Sequence, residues 1–136
     1  MVLEDRLRQT TASLPEVRLA VLFGSTARGK AGPRSDVDLG VLLEPDTPDV
    51  RLRVEAELGR AVGDRAVDVI FLKEAPPLLR FEIAKEGVVL HQNQDDLWTD
   101  FKTRAMLDWY DWEPIARRIE EALIERLRRK VEHGQA

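Results

Sequence analysis

The sequence predicts a small mixed α/β domain: about four strands in one sheet, flanked by helices and followed by a long C-terminal helix. Three observations carry that prediction. Short apolar, β-rich runs alternate with segments of helical periodicity; Gly and Pro punctuate the junctions; and a long final stretch has apolar residues spaced by threes and fours. A length of 136 residues suits one domain, with a core over about 1–92 and a helical segment over about 94–132.

The elements follow in order. Leu3 and Leu7 sit at helical spacing among charges, so residues 2–12 form a short amphipathic helix that Pro15 ends. The run from 17 to 23 is β-rich and mostly apolar, a buried strand that stops at Gly24-Ser25. Residues 25–30 make a turn or two of helix capped by Ser25, before Gly32-Pro33 breaks it. Residues 36–43 alternate Asp36, Asp38 and Gly40 with Val37, Leu39 and Val41, which gives a strand with two acids on one face.

Pro48 then opens a helix whose stripe of Val50, Val54 and Leu58 runs to Val62, where Gly63 closes it. A third strand over 66–72 contains Asp68, a helix over 78–85 follows Pro76-Pro77, and residues 88–91 make a fourth strand. From 94 to 131 the pattern is helical. Apolar or small residues at Trp98, Phe101, Ala105, Trp109, Trp112, Ala116, Ile119, Leu123 and Leu127 form one seam, and its aromatic part, Trp98, Phe101, Trp109, Tyr110 and Trp112, is read first as packing on the domain, with a partner surface as the sharper reading. Pro114 lacks the amide that bonds four residues back, so a kink or a break is expected there.

Composition narrows the function. With no cysteine there is neither a disulfide framework nor a thiolate metal site. A net charge of -4 argues against direct DNA binding, which needs a dense field of Lys and Arg. The N-terminus has no apolar targeting segment and no window reaches the length of a membrane span, so a cytoplasmic location is expected.

Chemistry concentrates in Gly24-Ser25, the acids Asp36 and Asp38, and Asp68 between two valines. Residues two apart on a strand project from one face with Cα atoms roughly 6.5 Å apart. Both carboxylates can therefore lean onto a shared pair of cations, with a third acid from a neighbouring strand completing the cage. Carboxylate oxygens with no Cys or His beside them favour Mg²⁺, or Mn²⁺, over zinc. Gly24 lets a phosphate approach the backbone, Ser25 offers an amide and a hydroxyl, and Arg28 is the cation best placed for the triphosphate's outer oxygens.

The same loop nearly spells a phosphate-binding P-loop, but Ala31 stands where a metal-binding hydroxyl belongs and Gly32-Pro33 cuts the helix that should follow. His91 and His133 each lack a ligand-spaced partner and are not nominated. For Asp36 the plain alternative is a strand-initiating turn. Asp38 and Asp68 resist that reading, because each lies between apolar strand residues where an unpaired carboxylate is costly.

Gly-Ser, a spacer of about ten residues, Asp-x-Asp on a strand and a third acid on a later strand resemble the signature of the DNA polymerase β nucleotidyltransferase superfamily. Most of the chain resembles its minimal nucleotidyltransferase antitoxins, the partners of HEPN-domain RNase toxins. The resemblance implies the polymerase-β-type fold and a Mg²⁺-dependent transfer of AMP from ATP to a tyrosine of the toxin. Asp36 and Asp38 would hold two metal ions; Asp68 would help hold the one that activates the acceptor hydroxyl. It also implies a hetero-oligomer with the toxin. Two alternatives remain open: an antitoxin that only masks its toxin, and a small-molecule nucleotidyltransferase of the antibiotic-modifying type.

Overall fold

In the computed structural model the described residues are 2–27, 29 and 36–134. Their order is α1 (Leu3–Ser13), β1 (Val17–Phe23), α2 (Gly24–Ala27), β2 (Val37–Leu43), α3 (Pro48–Val62), β3 (Val67–Phe71), α4 (Pro77–Glu86), β4 (Val88–Gln92) and α5 (Leu97–Glu132). The strands form one mixed sheet in the order β3-β2-β1-β4. β1 runs antiparallel to both β2 and β4, while β2 and β3 are parallel.

Parallel pairing demands a crossover, and α3 supplies it. Thr47 caps that helix, its hydroxyl accepting from the Val50 amide at 3.3 Å, and Pro48 sits in the first turn, where its missing N–H costs nothing. Alternation along the strands then sends two sets of side chains to opposite faces. Val37, Leu39, Val41 and Leu43 pack with Leu7, Val54 and Leu58 against α1 and α3. Leu19, Val21 and Leu72 pack with Ile83, Phe101 and Ala105 against α4 and the start of α5. The sheet is thus covered on both faces.

An arginine cluster fastens the far end of this layer. Arg51 on α3 donates to Asp46 at 2.6 and 3.1 Å and to Glu74 at 2.8 and 3.1 Å, with its guanidinium 4.2 Å from the centre of the Phe71 ring. These hydrogen bonds hold the Asp46 carboxyl below the usual carboxylate range, with burial opposing them and the charges of Arg51 and Lys73 adding to them. A carboxyl lowered on folding contributes stability above its unfolded value that is lost as pH falls through the folded one. Arg51→Leu is therefore expected to lower the thermal midpoint by several degrees at neutral pH. Melting curves taken down through the ordinary Asp value of 3.8 should show the gap to wild type narrowing; a gap independent of pH would remove the ion pair from the explanation.

Of the two outcomes expected at Pro114, a kink or a break, the break does not occur: α5 is one helix of 36 residues that contains it. The carbonyl that Pro114 cannot reach belongs to Tyr110, which is exposed, so water can take over its hydrogen bond. Nor does the helical seam pack along its length on the domain, since only Phe101 and Ala105 of α5 are buried. The predicted helix over 25–30 is a single turn, Gly24–Ala27, as far as the described residues show it.

Candidate active site

β2 and β3 pair in register, and that register settles where the acids stand. Asp38 is the direct partner of Asp68, one step along from the pair of Val37 and Val67. Directly paired residues of adjacent strands share a face, with strands about 4.8 Å apart, so these two carboxylates project side by side. Asp36 lies two residues before Asp38, at the entrance to β2, and is exposed. Asp38 and Asp68 stand where β2 and β3 begin, on the sheet face that α4 and α5 cover farther along, with Asp36 just before them in the chain.

Asp38 registers the company it keeps. Burial raises its carboxyl above the ordinary value, and the negative charges of Asp68 and then Asp36 push it the same way. Asp68 is more exposed than its valine neighbours imply, because β3 is an edge strand and its residues are only partly covered. The expected cost of burying that acid does not arise.

β1 delivers the Gly-Ser turn to this group. Phe23, its last residue, pairs with Asp38, so Gly24 follows directly beside that carboxylate. Gly24 has φ +74°, and a Cβ there would lie 2.4 Å from Oδ2 of Asp38. The left-handed backbone favours glycine, and any Cβ would force the Asp38 carboxylate to shift. Ser25 follows in α2 and is partly buried. Arg28 lies outside the described residues.

One tie was not legible from the motif. The Thr26 hydroxyl donates to the carbonyl of Asp36 at 3.4 Å, and Arg65, just before β3, donates to that hydroxyl at 3.5 Å. Both contacts are long, yet together they link α2 to the starts of β2 and β3. Nothing in the spacing singles out Thr26 or Arg65; the link depends on the strand register.

The donor set suits a hard divalent cation: three carboxylates from two strands, one already destabilised by its like-charged neighbours. Among the described residues no three acidic or imidazole side chains stand close enough to enclose an ion as placed. Bound positive charge would favour bringing the carboxylates together. An open acidic ledge of this kind, beside a glycine turn with backbone exposed, can hold a metal–triphosphate complex and leave the other side to an acceptor.

Comparison with known proteins agrees with the geometry. A family profile described as "Polymerase beta, Nucleotidyltransferase" matches residues 5–96. The chain is 25% identical over 105 residues to the protein adenylyltransferase MntA of Aphanizomenon flos-aquae, an alignment spanning 69% of each protein. Its fold matches a crystal structure of a toxin-antitoxin with AMP-PNP, at TM-score 0.74 and 23% identity, over 89% of this chain and 98% of the other. A similar match, at TM-score 0.67 and 21% identity over 89% and 98%, is to a complex of MNT antitoxin with the tri-AMPylated HEPN toxin of Shewanella oneidensis.

Proposed function

This chain is a member of the polymerase β nucleotidyltransferase family, and from that premise we propose that it transfers AMP from ATP to a tyrosine hydroxyl of a HEPN RNase toxin, serving as its antitoxin. The observation that carries the reading is the in-register pairing of Asp38 with Asp68 beside the glycine turn. An adenylyltransferase relative and the fold shared with toxin-bound antitoxins support the choice of donor and acceptor.

In the proposed reaction the acceptor oxygen attacks the α-phosphorus of ATP, the bond to the bridging oxygen breaks, and pyrophosphate leaves. Asp36 and Asp38 would hold the cations, and Asp68 would help hold the one beside the acceptor hydroxyl and take that hydroxyl's proton. Two Mg²⁺ ions, or Mn²⁺ in their place, would supply neutralisation of the triphosphate and a lowered pKa for the attacking hydroxyl. Gly24 would let the phosphates approach the backbone, Ser25 would add a hydroxyl, and Arg28 would supply a cation for the outer phosphate oxygens. Most of the rate comes from positioning and charge, since phosphoryl transfer asks little covalent work of the protein. A chain with no cysteine and a need for ATP both suit the cytoplasm. No helix among the described residues is long and apolar enough to cross a membrane.

The test is to incubate the protein with ATP, Mg²⁺ and purified HEPN toxin, weigh the toxin by intact mass spectrometry and assay its RNase activity. Adenylyl mass on the toxin, with RNA cleavage silenced in step, is the expected result. A toxin silenced at unchanged mass would replace catalysis with masking.

A further inference from the structure

Strand alternation puts Leu42 on the same sheet face as Asp38, and Leu72 on the same face as Asp68. Leu42 lies four residues beyond Asp38 on β2, about 13 Å along the strand, and Leu72 follows the end of β3. With Leu97 and Phe101 of α5 they line a cavity of about 290 Å³ whose other walls are Lys73, Arg80, Asp100 and Arg104. Leu72 and Phe101 are buried. The cavity thus has an apolar floor, with three cations and one acid around it.

Arg80 is the central cation. Its guanidinium lies 5.5 Å from the centre of the Phe101 ring, its Nη1 donates to Asp108 at 3.2 Å, and its Nε is buried with no hydrogen-bond partner. In a guanidinium the edge shared by Nε and Nη2 grips a carboxylate through two parallel hydrogen bonds, and Asp108 leaves that edge unused. Among the described residues neither Lys73 nor Arg104 forms an ion pair or a hydrogen bond, and the acid on which the charge of Lys73 acts, Asp46, is already held by Arg51. The plain reading of such cations is that their alkyl stems cover apolar surface. Here the stems leave the space between them open, and positive charge stays in excess even with Asp108 counted.

We infer that this cavity binds a small organic acid, one carboxylate carried on a flat apolar body. The carboxylate takes the unused edge of Arg80, with Lys73 and Arg104 adding charge, and the apolar body covers Leu42, Leu72 and Phe101. An apolar lining with a few convergent polar groups is the usual make-up of a ligand site, and this volume suits about one or two fused rings. A bare anion would leave the floor wet, and a neutral hydrocarbon would leave the cations unanswered. Asp100 opposes a ligand of higher negative charge.

1-Naphthoate serves as the probe, followed by amide NMR of the full chain without nucleotide. Saturable shifts should gather at Leu72, Lys73, Leu97, Phe101 and Arg104. 1-Naphthamide, of the same shape and without charge, should bind at least about tenfold more weakly, the scale of a lost charge-assisted hydrogen bond. Lys73→Gln combined with Arg104→Gln should weaken naphthoate severalfold, while melting and AMP transfer stay near wild type. Equal binding of naphthamide, or of naphthoate to the double variant, would overturn the inference, because the cations would then not read the ligand. So would an absence of saturable shifts, or shifts confined to exposed apolar residues of α5 such as Ile119 and Leu123.

Discussion

Asp38→Asn is expected to reduce AMP transfer by about 10³-fold or more, the scale on which removing one preorganised electrostatic group acts, while leaving the protein folded. Asparagine keeps the shape of the side chain and removes the charge that a cation needs. The same substitution has an opposite effect on the metal-free protein. Burial first, and then the charges of Asp68 and Asp36, raise the Asp38 carboxyl, so folding favours its protonated form. By linkage, a carboxyl raised on folding makes the fold less stable as pH climbs through the raised value. In chelator, wild type should therefore lose thermal stability relative to Asp38→Asn as pH rises from acid to neutral. Added Mg²⁺ should then stabilise wild type and not the variant, as ligand linkage requires. Equal melting curves with and without Mg²⁺ for wild type would count against the metal site itself.

Gly24→Ala is the second large effect, and it involves no charge. Its Cβ would fall 2.4 Å from the Asp38 carboxylate, at a backbone φ of +74°. The left-handed conformation alone costs a non-glycine residue about 1–2 kcal/mol. The collision must also move Asp38, and a displacement near 1 Å in a positioned group costs roughly 10²-fold in rate. Activity is thus expected to fall far more than stability, with circular dichroism close to wild type. Gly24→Ala with full activity would mean that Asp38 does not need its present position, and so does not hold a catalytic cation.

The fold was largely legible because its signals are local. Val17–Phe23 is a mostly apolar run, Pro48 and Gly63 bracket a helix with a clear stripe, and each expected strand is present within a residue or so of its predicted ends. Pro114 left a kink or a break open, and the helix continues through it for a definable reason. A proline breaks a helix when the carbonyl it abandons has no other partner, and here that carbonyl lies on an exposed turn. Asp68 did mislead: flanking valines suggest a buried strand, but strand position within a sheet is not written in the flanking residues.

What the sequence determined by itself is short-range: the alternation that puts Asp36 and Asp38 on one face, the glycine that must follow β1, and the helical spacing of the C-terminal stripe. Tertiary structure alone decided which of these features meet. Asp68 stands beside Asp38 because β2 and β3 pair in parallel and in register through the α3 crossover, and a shift of one residue would have sent it to the other face. The stripe on α5 lies open because the sheet's faces are already covered by α1, α3, α4 and the first turns of α5. Periodicity states that a helix has an apolar face; only the arrangement of the other elements states whether anything is left to cover it.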